Sequence, residues 1–324
     1  MGYTFKILSF FLVLFFSAPL LAKLSNEQIR EKSEGIVLFN QYRMAAPLLT
    51  PAAEAGDAEA QYFLAQETRS LKQHLSPDAV KWFEASAHQG NVYAMIQLGR
   101  AGADLCTQMK NCQSGDTSPS EWIAKAKETT APKAASGNSE ALYLMYELTG
   151  DRDWLKKSAE AGFALSQYWM GIQERQGEGF FLLPGQRESS VEHWMKAAAE
   201  SGYPKAMMAY GAILARKGDI EGYKTWNVKA AEAGFADAVL GYACDSAHEP
   251  DEYGYPLDLV KAYGLMSLLA ELDGGGGMQI NVKDIFPKII AKMSPEQINL
   301  GKKFAIAWKA NHPPLSFFPD KLDD

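Results

Sequence analysis

The sequence predicts an all-α fold, an α-solenoid of stacked antiparallel helix hairpins, and three observations carry that expectation. One pattern recurs six times: AAEAGDAEAQYFLA (52–65), ASAHQGNVYAMIQLG (85–99), AASGNSEALYLMY (134–146), SAEAGFALSQYWMG (158–171), AAESGYPKAMMAYG (198–211) and AAEAGFADAVLGYA (230–243). Self-similarity at such spacings is the signature of a repeat array. Take the turn glycine of each unit (Gly56, Gly90, Gly137, Gly162, Gly202, Gly234) as position zero. Position −3 is then alanine in all six units, and +4 is alanine in five, with Ser166 in the other. Finally, a tryptophan stands at −8 in four units: Trp82, Trp154, Trp194 and Trp226.

In chain order, residues 1–22 read as a secretory signal peptide. Lys6 is the basic n-region, Ile7 to Phe16 the apolar core, and Ser17-Ala18-Pro19 the break before a cut after Ala22. The apolar run is too short for a stable membrane span, so no integral membrane segment is expected in the mature chain. A soluble, exported protein of a bacterial periplasm is the expected product. Residues 23–44 are expected to form an N-terminal capping helix, 45–277 the repeat array, and 278–324 a C-terminal capping helix and tail. Within each unit a helix ends at the glycine, which takes the left-handed conformation at no steric cost. A second helix starts just after it. Small residues at −3 and +4 let the two helices approach closely. The tryptophan at −8 and the large residues at +6 (Tyr62, Ile96, Tyr143, Tyr168, Met208, Leu240) and +8 (Leu64, Leu98, Met145, Met170, Tyr210, Tyr242) are expected to fill the space between hairpins. One hairpin cannot bury its apolar face alone, but a stack can. Units one and three depart from the pattern, with Leu48 and Thr129 at −8.

These residues resemble the Sel-one-like repeat family, a relative of the tetratricopeptide repeat, over residues 45 to 310. The match is best at 154–171, 194–211 and 226–243, and the family's Gly-x-Gly corresponds to Gly177-Glu178-Gly179. KAYGLMSLLAELDGGG (261–276) looks like a degenerate seventh turn, and MSPEQINLGKKFAIAW (293–308) resembles the helix that closes such arrays. The resemblance implies a right-handed superhelix and a protein-binding role. Members of the family serve as adaptors, and exported bacterial members include immunity proteins that neutralise phospholipase toxins delivered by type VI secretion.

The full chain carries a formal charge of −7, and loss of Lys6 with the leader makes it −8. An acidic surface lacks the basic face that nucleic acid requires, and suits solubility or a basic protein partner. Cys106 and Cys112 flank a polar stretch that interrupts the repeats, and in an oxidising compartment they are expected to pair, leaving Cys244 a free buried thiol. The five histidines (His74, His88, His193, His248, His312) fall in no metal-ligand or catalytic spacing, and no nucleophile elbow or phosphate loop is present. His248 sits among Asp245, Glu249, Asp251, Glu252 and Asp258, where a solvated loop is a better reading than calcium binding because the spacing lacks an EF-hand order. The Gly274–Gly277 run reads as a flexible link. No enzyme activity, cofactor or metal is expected.

A surface remains as the carrier of function. The first helices of successive hairpins in a solenoid are expected to line a concave face, and on that helix the positions +3, +7 and +10 or +11 point away from the packed stripe by helical spacing. They hold Tyr93, Gln97 and Arg100, then Glu140 and Glu147, then Trp169 and Gln173, Lys205, and Asp237. These nine are the expected partner-binding residues, with Trp169 readable equally as an interface anchor or as core filling. With this set, the family resemblance implies an exported immunity protein sequestering a lipase-type toxin, or alternatively a periplasmic scaffold or signalling adaptor.

Overall fold

A computed structural model describes residues 23–110, 112, 117–250, 252–272 and 277–322. The expected signal peptide, and the glycine link apart from Gly277, lie outside the described residues. Helix α1 (Asn26–Asn40) precedes six hairpins: α2 (Ala46–Glu54) with α3 (Ala58–Lys72), α4 (Pro77–His88) with α5 (Val92–Gly99), and, after the short α6 (Leu105–Met109), α7 (Pro119–Ala135) with α8 (Ser139–Thr149). Next come α9 (Arg152–Glu160) with α10 (Ala164–Arg175), α11 (Gln186–Glu200) with α12 (Pro204–Arg216), and α13 (Ile220–Glu232) with α14 (Ala236–Ala247). Three further helices follow, α15 (Leu259–Ala270), α16 (Met278–Ala291) and α17 (Pro295–Asn311); α15 packs on α14, and α16 and α17 pack on α15. The chain is an all-α solenoid. Its extended backbone pairing among the described residues is a single isolated bridge, Phe235 to Ser316.

Each turn glycine has a positive φ, from 82° at Gly137 to 93° at Gly56. The residue after it is the N-cap of the second helix. In the first three units that cap is polar: Asp57, Asn91 and Asn138 accept the backbone N–H of Ala60, Ala94 and Ala141. In the last three it is aromatic: Phe163, Tyr203 and Phe235 make no side-chain cap. All six residues at −3 and all six at +4 are buried. Ser166, the exception at +4, is accommodated by a 2.7 Å hydrogen bond to Ser158.

The space between hairpins is not filled as the sequence led one to expect. The tryptophans at −8 are half-buried rims of the core, and Trp82, Trp154 and Trp226 are each roofed by a lysine ammonium 4.4–4.8 Å from the ring centre. The fully enclosed position is −7. Leu49, Phe83, Thr130, Leu155, Met195 and Asn227 occupy it, each at most 2% exposed. The physical reason is helical spacing: −7 and −3 are i and i+4 on one stripe, and −8 is rotated 100° away from −7. Unit three, which lacks a tryptophan at −8, places the buried Trp122 two turns earlier on α7. The residues at +6 are enclosed only in the first three units. Two large core clusters result, one from unit one to Met170 and one from Ile172 onward, and Trp169 touches both.

Cys106 and Cys112 are disulfide-bonded, and Cys244 is free. Burial pushes the Cys244 thiol up to about 11, so it stays protonated and unreactive at neutral pH. The acidic segment after α14 is not simply a solvated loop. Asp245 is buried at the end of the helix and accepts from Tyr223 Oη and Asn227 Nδ2, both at 3.4 Å. His248 Nε2 lies 2.7 Å from the Tyr255 carbonyl. Among the described residues, no group of three or more His, Cys, Asp or Glu is placed to hold a metal ion. No described helix is long and apolar enough to cross a membrane.

Candidate partner-binding face

The helices that follow the turn glycines (α3, α5, α8, α10, α12, α14) line one face, and the nine expected partner-binding residues lie along it. They are engaged within the chain. Tyr93 donates to Glu140 at 2.6 Å, a +3 to +3 contact between neighbouring units, and Arg100 pairs with Glu147, a +10 to +10 contact. Burial raises the Asp237 carboxyl, and the nearby Lys205 ammonium, also at +3, works against that rise. Gln173 donates to Tyr146 Oη at 2.7 Å and accepts from Arg152. Gln97 departs furthest from expectation: it is 1% exposed, and its Oε1 accepts from Arg69 Nη1 at 3.0 Å. Position +7 is buried in the first three units alike, at Phe63, Gln97 and Leu144. The ladder of +3 and +10 pairs sets the stagger of successive hairpins, a duty the sequence reading had not given these residues.

The face is also occupied. After α17 the chain turns back, and residues 313–322 run along it, broken by a left-handed backbone at Phe318 (φ 50°) and by a turn at residues 321–322. At the near end Ser316 N donates to the Gly234 carbonyl at 2.8 Å, and Ala236 N donates to the Ser316 carbonyl at 3.0 Å. Gln41 Nε2 donates to the Leu315 carbonyl and Phe317 N to the Asn40 carbonyl, both at 2.9 Å. Phe317 stacks on Tyr42, and Phe318 meets the edge of Phe235. Further along, Asp320 Oδ2 accepts from Tyr143 Oη and Trp169 Nε1, each at 3.3 Å. The Lys321 carbonyl accepts from Tyr62 Oη and from Gln66 Nε2, and the Leu322 carbonyl accepts from Arg100 Nη1 at 3.1 Å. Leu315 and Leu322 are buried, one in each core cluster.

Geometry shows why this face is concave. Even fully extended, ten residues span at most about 33–36 Å, yet this segment touches α1 and units one, two, three, four and six. Only the inside of a tightly wound array offers that many units to so short a segment. The segment does not fill the space. A cavity of about 570 Å³ remains beside it, lined by Tyr62, Tyr93, Phe163, Tyr203 and Phe318 among others.

Burial holds the phenols of this face above their ordinary range. For Tyr93 the Glu140 carboxylate adds to the effect, and for Tyr143 the Asp320 carboxylate does. They therefore remain O–H donors at any physiological pH, which is what a carbonyl or carboxylate oxygen needs from them. The aromatic N-caps Phe163, Tyr203 and Phe235 were missed as functional residues. Their signal was available: a helix N-cap that is Asp, Asn or Ser contributes about 1 kcal/mol, and three consecutive units forgo it to turn a ring inward.

Gly234 provides a direct test of this contact. A Cβ there would lie 2.7 Å from the Pro314 carbonyl oxygen, whereas at Gly202, with the same positive φ, nothing lies within 4 Å. Gly202→Ala is expected to cost about 1–2 kcal/mol, the price of a left-handed alanine. Gly234→Ala should cost the same and in addition lift residues 313–318 from the face. Limited proteolysis checks this: cleavage within 312–322 should accelerate in Gly234→Ala and not in Gly202→Ala. Equal cleavage in both would show that the segment is held without Gly234.

No protein-family model matches the chain, and no curated protein does. Among solved structures, it is similar to a protective antigen of uropathogenic Escherichia coli with an SLR fold, at 22% identity and a TM-score of 0.48, covering 89% of this chain and 62% of the antigen. It is also similar to a Sel1 repeat protein from Oxalobacter formigenes, at 19% identity and a TM-score of 0.42, covering 87% of this chain and 85% of that one. The chain thus spans less than two thirds of the antigen's length. These likenesses are of fold, and the assignment as an α-solenoid stands on the chain's own helices.

Proposed function

We propose that this protein is a binding module whose concave face grips an extended segment of another protein. One observation carries the reading: that face already holds ten residues of non-helical chain, mostly through side-chain donors aimed at backbone carbonyls. The finer form of the reading is an exported immunity protein that sequesters a secreted lipase-type toxin in the periplasm. The export-type N-terminus and the Cys106–Cys112 bond support the compartment, and the resemblance noted in the sequence supports the partner.

The test is co-purification of the tagged protein with the product of the neighbouring gene, followed by that product's lipid hydrolysis with and without added protein. The expected result is a stable complex and loss of hydrolysis. Trp169→Ala should weaken the complex by about 2 kcal/mol or more, as for a tryptophan anchor at an interface centre, and changing all five histidines to glutamine should leave it intact. A complex with a periplasmic protein that is no toxin would favour the scaffold reading. A histidine variant that loses binding with its helical spectrum preserved would overturn a purely surface-based mechanism.

A further inference from the structure

The contacts of residues 313–322 point to what the face recognises. Most are blind to sequence. Gln41, Tyr62, Gln66 and Arg100 donate to main-chain carbonyls, and Gly234, Ala236 and Asn40 exchange main-chain bonds. Any extended segment offers these groups. Besides the Lys321 ammonium over the Tyr93 ring and the buried Leu315, side-chain selection comes from two features. A carboxylate, that of Asp320, sits between the Tyr143 hydroxyl and the Trp169 indole N–H. Apolar side chains flank it: Phe317 and Phe318 against Tyr42 and Phe235 on one side, and Leu322 in the core cluster on the other.

The segment is also an imperfect occupant. Pro313, Pro314 and Lys321 are exposed, residues 316–320 are half-buried, and the 570 Å³ cavity beside them is walled by rings that the segment leaves partly uncovered. A purely structural strap would have no use for that room. A longer or bulkier segment of the same chemistry would fill it and bury more apolar surface at the same donors.

From this geometry we infer that the concave face is a receptor for an extended protein segment carrying aromatic residues followed by a carboxylate, as in the chain's own Phe317-Phe318-Pro319-Asp320. Residues 313–322 are a built-in competitor for that site. The inference rests on the reading of this face as a binding surface, and adds the ligand chemistry and the self-occupancy. A tethered segment acts at an effective concentration in the millimolar range, so it excludes weak ligands and yields to a partner that also fills the cavity.

The test uses the full chain and a fluorescein-labelled synthetic peptide of residues 312–322. The parent protein should bind the peptide poorly because its own segment competes. Phe317→Ala/Asp320→Ala, which weakens the tethered segment and leaves every groove residue in place, should bind it at least ten-fold tighter. A peptide with alanine in place of its aspartate should bind this variant at least ten-fold more weakly, and adding Trp169→Ala to the variant should have a similar effect. If the double variant loses its helical spectrum, Asp320→Ala alone serves the same comparison.

Equal affinity of parent and variant for the peptide, or no binding by either, would overturn the inference. So would a weakened-segment variant that runs as a dimer and ignores the peptide, because the occupant would then be a second copy. A parent protein that captures its partner while the variant still ignores the peptide would overturn this inference alone and leave the broader binding reading standing.

Discussion

Truncating Phe83 to alanine is expected to destabilise the protein by about 3–5 kcal/mol, the range for a buried aromatic that leaves a cavity behind. Trp82→Ala, one residue earlier and removing a larger side chain, should cost only about 1–2 kcal/mol, for a half-buried ring and one lysine roof. The order reverses what residue size alone would give. It follows from Phe83 being completely enclosed at −7 while Trp82 stands at the rim. The same order should hold for Met195→Ala against Trp194→Ala, since Met195 is also fully enclosed and its Cε would lie 2.8 Å from a Cβ placed on Gly171. Urea unfolding followed by far-UV circular dichroism measures both pairs. A larger loss at Trp82 than at Phe83 would return the tryptophan to the role of core filler.

That contrast shows where the sequence was legible. The turn glycines, the alanines at −3 and +4, and the small residues found at +9 in five units (Ala65, Gly99, Gly171, Gly211 and Ala243, with Tyr146 in the other) were readable because each answers a steric demand that one or two residue types can meet. Gly171 and Gly99, for example, receive Met195 and Ile123 of the next hairpin where a Cβ would clash. Position −7 is harder to see because any side chain of suitable volume serves, and Leu, Phe, Thr, Leu, Met and Asn all do. The i, i+4 relation to the alanine at −3 was the available clue. The candidate site was legible in part. The first helices of the hairpins were expected to line the concave face, whereas the +3, +7 and +10 positions lie on the second helix of each pair; helical spacing says only where a side chain points, and not what comes to meet it. The +3 and +10 ladder joins residues 47 apart (Tyr93 to Glu140, Arg100 to Glu147). The returning segment binds through its carbonyls, which every sequence has. Only the inward rings at Phe163, Tyr203 and Phe235 were marked in the chain, as breaches of N-cap preference.

Asp104 is expected to be the most sensitive polar position. It lies in the interruption between units two and three and anchors it to the array from three directions. Its Oδ1 accepts from Leu75 N and Cys106 N, each at 3.0 Å, and its Oδ2 accepts from Arg69 Nε at 3.3 Å. Burial opposes its ionisation, but the two backbone donors and the Arg69 guanidinium outweigh that and hold its carboxyl below the usual range. Asp104→Ala leaves a largely buried guanidinium and two backbone donors short of an acceptor, and should cost about 3–5 kcal/mol. Because Arg69 also donates to Gln97, the loss should reach the concave face and weaken partner binding as well. Asp104→Asn keeps an acceptor and removes the charge, so about 1–2 kcal/mol is expected for it. The pH dependence has a defined sign. A carboxyl whose folded value is depressed adds stability that is fully present above the unfolded value, near 3.9. That stability is lost as the pH falls through the lower folded value, since the unfolded chain binds the proton first. The stability gap between parent and Asp104→Asn should therefore stay constant from about pH 7 to 5 and close below about pH 4. A gap that persists undiminished at about pH 2, with both proteins still folded, would mean that Asp104 acts through shape and hydrogen bonding alone, and that its charge contributes nothing to holding the interruption on the solenoid.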